Sequence, residues 1–370
     1  MRVLPPAAGP LFPAEGPRLP RLLRRARGIT VEVVAFVLIT ALFPLLILLA
    51  AAVDLVIWLR DRRPWAAVRL LAMAWWFLFG ELWGIAAMAG IWLVTGGPFG
   101  TGSLRRRRLS YAWRVRWATS HLGGVRVLFS LRFEVEGLES VAPGPVLIMM
   151  RHTSIIDNML PDTVITKTHG IGLRFLLKRE LESLPIIDIG GRWVPTCYVR
   201  RASSDSDAEI AALRRLAQNL GSGEGILIYP EGTRYTPAKL ARAQEVIAER
   251  QPAVVPLAAR LRNVLPPRLG GTLALLEEAA GVDVVLCGHV GFDGFQYVSD
   301  VWRGGLVGST IRIRFWRHSA ASIPAGGDAR IAWLYGAWQE LDDWVGAQRG
   351  RPPAEPPPSE PEPSEAAVRP

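Results

Sequence analysis

Cysteine is nearly absent from this 370-residue chain, with only Cys197 and Cys287, far apart and without a CxxC pair. That excludes a disulfide framework and a cysteine zinc site, and it predicts reducing, cytoplasmic surroundings for the catalytic part. Lysine is almost as scarce, appearing only at Lys167, Lys178 and Lys239, so the formal net charge of +10 is carried by arginine. No helix-turn-helix, zinc-finger or aromatic RNA-binding signature accompanies that charge, which argues against nucleic acid and for an anionic lipid surface as the partner. No GxSxG elbow is present, which removes the serine nucleophile of that architecture. Of the five histidines, His121, His169, His289 and His318 have no acid at a catalytic or metal-ligand spacing. They read as surface or core residues, and neither a metal site nor a bound cofactor is expected.

Apolar residues, by contrast, are abundant at 50% of the chain, which is high for a protein that faces only water. Residues 1–28 are Pro-rich and end in RLPRLLRRAR, read as a flexible basic lead. Two apolar segments follow within residues 29–98: Ile29 to Leu59, which carries Pro44, and Trp65 to Thr95, joined by RDRRP. Each exceeds the roughly 20 residues needed to span a bilayer, so they predict a two-helix membrane hairpin rather than a cleaved signal peptide. Arginines before Ile29 and at Arg105 to Arg108 place both ends of the hairpin in the cytoplasm by the positive-inside rule. Arg60, Arg62 and Arg63 in the link leave a re-entrant hairpin as the alternative to a spanning one. The expected location is the cell membrane, with the catalytic domain cytoplasmic. Glu81, an acid inside the second segment, is expected to face the first helix or a hydrated pocket.

Residues 99–124 mix arginines with Tyr111, Trp113 and Trp117 and read as an interfacial connector. From residue 125 to 348 short apolar runs such as PVLIMM, ILIY and VDVVLCGHV alternate with helical stretches such as DAEIAALRRLAQNL, which predicts one α/β domain. Trp333, Trp338 and Trp344 mark an amphipathic C-terminal helix. Residues 349–370 are Pro/Glu-rich and read as disordered.

Two motifs carry chemistry. Directly after PVLIMM comes Arg151-His152-Thr153-Ser154-Ile155-Ile156-Asp157. On a regular helix His152 and Asp157 would lie about 140° apart, so contact between them requires a strand, a bend and a helix start. Transfer of an acyl group to an alcohol needs a base that titrates near neutrality, which histidine supplies. Asp157 would orient the imidazole; a merely structural hydrogen-bonded pair is the alternative. The second motif, Tyr229-Pro230-Glu231-Gly232-Thr233-Arg234, follows ILIY at another strand end. Its glycine permits an unusual backbone angle, and its arginine can hold phosphate bidentately.

His152 with Asp157, followed about 80 residues later by Glu231-Gly232-Thr233-Arg234, resembles the HX4D and EGTR blocks of the lysophospholipid and glycerol-phosphate acyltransferase family. The resemblance spans roughly Val135 to Val345. Through TRYTPAK, NVLPPRLGG and WLYGAWQELDDWV it is closest to the branch holding lysophosphatidate and lysocardiolipin acyltransferases and their bacterial relatives. It implies a glycerol-phosphate-acyltransferase-like α/β domain with a mixed central sheet. It also implies His152 as general base, Asp157 as its partner, and Glu231, Gly232, Thr233 and Arg234 at the acceptor phosphate. Tyr198-Val199-Arg200-Arg201 resembles the intermediate block, which makes Arg200 or Arg201 a phosphate ligand, with Arg201 favoured. Pro266, Pro267 and Arg268 fall in a late proline block tied to the acyl donor. The chain departs from the family in Arg151, where asparagine is usual, and in the bulky Met149 and Met150.

The expected reaction moves a fatty acyl group from acyl-CoA or acyl-carrier protein onto a lysophospholipid, first of all 1-acylglycerol 3-phosphate. Lysophosphatidylglycerol and lysocardiolipin are the alternative acceptors. A non-catalytic lipid-binding scaffold is the alternative class, which would have no use for a histidine base.

Overall fold

The computed structural model describes residues 17–100, 102–199, 207–295, 298–302 and 305–349. Its longer helices are α1 (Arg18–Asp61), α2 (Ala67–Val94), α3 (Leu104–Leu128), α4 (Asp207–Ala217), α5 (Pro237–Arg250), α6 (Leu269–Glu278) and α7 (Gly327–Gln348). The strands are β1 (Arg132–Glu136), β2 (Val146–Met150), β3 (Gly172–Lys178), β4 (Thr196–Val199), β5 (Glu224–Ile228), β6 (Asp283–Val290) and β7 (Thr310–His318).

The first two helices are inside out compared with helices of a water-soluble core. Along α1 the valines and leucines are exposed, Leu38, Leu42, Leu45 and Leu48 among them, while its two buried residues are acids, Glu32 and Asp54. Both α1 and α2 are long and apolar enough to cross a membrane. Asp54 holds the hairpin shut: its carboxylate accepts the first N–H groups of the second helix, from Ala66, Ala67 and Val68, each at 2.9 Å. Those amides have no partner within their own helix, and a carboxylate at a helix start also meets the positive end of its dipole. Pro44 lies within the continuous helix.

Two expectations change here. The basic lead is helical from Arg18, because Arg24 and Arg25 find a partner on the domain. Both donate to Asp188 Oδ2, at 2.9 and 3.0 Å, and Arg192 donates to Oδ1 at 3.0 Å. These arginines, which charge alone would assign to lipid headgroups, tie the apolar hairpin to the α/β domain. The connector, likewise, is half buried: Arg107, Tyr111, Val115, Ala118, Leu122 and Val125, at helical spacing, form the buried face of α3. Glu81 is buried where this helix meets the hairpin, accepting from Trp117 Nε1 at 2.9 Å.

The sheet order is β1-β7-β6-β2-β5-β3-β4, parallel throughout except where β6 meets β7, so it is mixed. Every residue of β2 and of β5 is buried, as expected for central strands covered on both faces. Alternation along β2 separates the faces. Leu147 and Met149 pack with α4, α6 and α7, through Leu213, Leu275 and Trp338. Val146, Ile148 and Met150 pack with α3 and the start of α2, through Leu122, Val125 and Leu70. The apolar hairpin is thus confined to one face of the sheet. Because β2, β5 and β6 run parallel, the turns leaving them meet at one edge, the usual place for a site in such folds.

Candidate active site

His152 sits in the turn leaving β2, and a single 3-10 turn, Ile156–Met159, brings Asp157 back beneath it. The result is the strand, bend and helix start that contact required. His152 Nδ1 lies 3.2 Å from Asp157 Oδ2. The same oxygen accepts the N–H groups of Thr153 at 2.5 Å and Ser154 at 2.8 Å, so the carboxylate shapes the turn as well as the imidazole. A proton on Nδ1, facing the carboxylate, leaves Nε2 as the basic nitrogen. Asp157 is fully buried, while the His152 side chain keeps 12% of its surface accessible. Burial alone would raise the Asp157 carboxyl. Histidines 289 and 152 and the Ser154 N–H outweigh it and hold the carboxyl below its ordinary range.

The second motif grips the first by its backbone. Glu231 Oε1 accepts the His152 N–H at 2.9 Å, and Tyr235 N–H donates to the His152 carbonyl at 2.7 Å. The other Glu231 oxygen accepts Leu265 N–H at 3.0 Å. Glu231 is buried, and that burial pushes its carboxyl up to about 8 although Arg151 and the two amides pull the other way. Both its oxygens face protein amides, so its geometry is that of a brace between the catalytic turn and the 265 segment. The Tyr229 ring packs on the His152 ring with centroids 4.4 Å apart.

Gly232 has φ +67°, and a Cβ there would collide with the Arg268 side chain. Only glycine lets that guanidinium lie across the turn. Arg268 N–H donates to Pro230 O at 2.9 Å, so the late proline block and the EGTR turn form one surface. Pro267 is buried and Arg268 exposed. Thr233 Oγ1 accepts Lys239 Nζ at 3.3 Å, and the same ammonium donates to the Arg234 carbonyl at 3.0 Å, which fixes the turn's far end. Arg234 itself is half-buried on that turn. The structure therefore gathers His152, Asp157, Glu231, Gly232, Thr233, Arg234, Pro267 and Arg268 at one sheet edge. Arg200 and Arg201 lie outside the described residues.

Residues 132–264 match the model of the Acyltransferase family. The matched region contains both the His152–Asp157 pair and the Glu231–Arg234 turn. The mouse 1-acyl-sn-glycerol-3-phosphate acyltransferase epsilon is 29% identical over 130 residues, 34% of this chain and 34% of that protein. The gamma form from mouse is 28% identical over 201 residues, 53% and 51% of the two chains. The 1-acyl-sn-glycerol-3-phosphate acyltransferase of Pseudomonas aeruginosa is 28% identical over 130 residues, 34% and 47%. The chain thus spans between a third and about half the length of these relatives. Among solved structures, the 1-acyl-sn-glycerophosphate acyltransferase PlsC from Thermotoga maritima aligns over 75% of this chain and all of that one, at 14% identity and a TM-score of 0.45.

The α/β domain also holds groups that spacing did not reveal. His289, near the end of β6, is fully buried and places Nε2 2.9 Å from the Arg151 carbonyl and 3.6 Å from Asp157 Oδ2. Since a carbonyl can only accept, that nitrogen carries the proton, and it faces the Asp157 carboxylate. Burial lowers the His289 imidazole, against the pull of Asp157 beside it. The signal for His289 was pairing: β6 runs beside β2 with Met150 opposite Cys287. Arg151 is a second such group. Fully buried, it donates to Asp293 at 2.7 Å, to His289 O at 2.7 Å and to Asn263 O at 3.1 Å. This residue, where the family usually has asparagine, pins three loops behind the catalytic turn.

Proposed function

We propose that the protein is a membrane-bound O-acyltransferase that transfers a fatty acyl group from a thioester donor to the free hydroxyl of a lysophospholipid, foremost 1-acylglycerol 3-phosphate. The observation that carries this reading is the His152–Asp157 pair at 3.2 Å, with the backbone of His152 held on both sides by the Glu231–Tyr235 turn. In the reaction the acceptor hydroxyl loses its proton to His152 Nε2 as its oxygen attacks the thioester carbonyl. Asp157 stabilises the imidazolium that forms, and the thiolate leaves and takes up a proton. General-base action of this kind contributes about 10²- to 10⁴-fold. The cationic EGTR turn, with Arg234 and Arg268, offers the acceptor phosphate a charged seat at the same edge. The hairpin, with its outward leucines and valines, supplies the membrane attachment that a lipid acceptor requires.

The test is transfer itself. Full-length protein in detergent is incubated with labelled acyl-CoA and a panel of lysophospholipids, with products read by mass. Phosphatidic acid as the main product is expected. Preferred transfer to lysophosphatidylglycerol or lysocardiolipin would overturn the acceptor, and transfer to none would overturn the activity.

A further inference from the structure

The face of the sheet opposite the membrane hairpin bears an open cavity of 480 Å³, enclosed by the 260–263 segment and the last turns of α7. Its walls carry two acids, and each is already engaged. Asp342, buried, accepts the N–H groups of Arg262, Asn263 and Val264 and the amide of Asn263. Asp343 accepts from Gln339 Nε2 at 2.8 Å. The two basic residues are in the opposite condition: the side chains of Arg260 and Arg262 are exposed at the rim and make no hydrogen bond or ion pair among the described residues. Neither acid is paired with these guanidiniums, Asp342 being turned onto backbone amides, so the two arginines at the rim are left to an outside anion, and paired arginines favour phosphate.

The cavity is coupled to the catalytic turn. Asn263 O accepts from Arg151, the neighbour of His152, at 3.1 Å. Two residues on, Leu265 N–H donates to Glu231, whose other oxygen holds His152. The Tyr235 hydroxyl, on the turn that holds the His152 carbonyl, donates to Arg262 O at 2.9 Å. A ligand seated here therefore rests on the segment that braces the His152 turn. It arrives, however, from the face without membrane helices, which a bilayer lipid does not reach.

Resting on the acyltransferase reading, we infer that this cavity binds the phosphorylated nucleotide end of a coenzyme A thioester, with Arg260 and Arg262 as its phosphate ligands. The acceptor and donor then enter from opposite faces of the sheet and meet at His152. A concave site suits a nucleotide better than the surface of a carrier protein, which needs a broad interface.

The experiment compares wild type with the double variant Arg260→Ala/Arg262→Ala, using acyl-CoA, acyl-carrier protein and a truncated acyl-pantetheine thioester as donors. The expected result is a rise of about tenfold or more in KM for acyl-CoA, which collapses the wild-type preference for acyl-CoA over the truncated donor while kcat is kept. An active wild type whose donor preference survives in the variant overturns the assignment. So does a defect confined to acyl-carrier protein. In parallel, adenosine 3′,5′-bisphosphate is titrated into both proteins by calorimetry. Binding to wild type and not to the variant is expected, and this holds even if no acyl transfer is found, which separates the cavity from the activity. Equal or absent binding in both overturns it.

Discussion

The turn leaving β2 and the turn leaving β5 each bury one carboxylate at the same sheet edge, yet the two acids are driven in opposite directions. Asp157 faces two imidazoles and two amides and is held below the ordinary range. Glu231 faces two amides only, with Arg151 acting on it from beyond hydrogen-bond contact, and burial wins, raising it to about 8. Burial is nearly equal, so partners decide the sign. On the proposed mechanism the first acid serves by its charge, opposite a histidine that must become a cation. The second is made for position, holding a backbone in place without needing a charge of its own.

This contrast predicts that the two isosteric amides fail differently. Asp157→Asn should cost the most, about 10²- to 10⁴-fold in kcat, because the amide neither stabilises an imidazolium nor fixes the Nδ1 proton. Steady-state kinetics at neutral pH, beside a melting curve that reports folding, would check it. Glu231→Gln should cost less in kcat but more in stability, about 1–3 kcal/mol, because one backbone N–H would then face an amide NH2. An equal kcat loss in both variants would erase the distinction.

The pH dependence of stability follows with opposite signs. The depressed Asp157 contributes stability above the ordinary carboxylate range and loses it as acid titrates the folded protein. The raised Glu231 binds a proton in the folded state that the unfolded state has released. Its contribution is full below about 4.3 and is lost as pH rises toward about 8. Thermal melts across pH should therefore show a decline toward pH 8 that Glu231→Gln flattens and Asp157→Asn leaves in place. Smaller again, Gly232→Ala should cost about 1–2 kcal/mol through its positive φ and displace Arg268, raising KM for the acceptor more than it lowers kcat. The smallest effect is expected at Asp293, held at about 2 by Arg151 against its own burial. Its stabilisation is present above about pH 4 and is lost as pH falls through about 2, so Asp293→Asn should make the acid limb shallower.

The parts legible in the sequence were those whose partners lie close along the chain. PVLIMM and ILIY read as buried strands because each is a short apolar run ending in a turn motif, and the structure makes them the two central neighbours β2 and β5. His152 and Asp157 were legible because one turn joins them. What escaped depends on distant pairing. The basic turn at Arg24 and Arg25 is indistinguishable from a lipid-binding tail until Asp188 is placed beside it. His289 reads as an ordinary core histidine until β6 is laid against β2. Glu231, read through resemblance as a phosphate-site residue, has both oxygens on amides, one of them at Leu265, whose approach no local pattern announces.

The most direct test of the account is His152→Ala in the full-length protein, assayed for transfer of a labelled acyl group from acyl-CoA to 1-acylglycerol 3-phosphate, beside a melting curve that reports folding. The account predicts a folded protein whose turnover falls by about 10²- to 10⁴-fold. A folded His152→Ala protein that forms phosphatidic acid at the wild-type rate would contradict it.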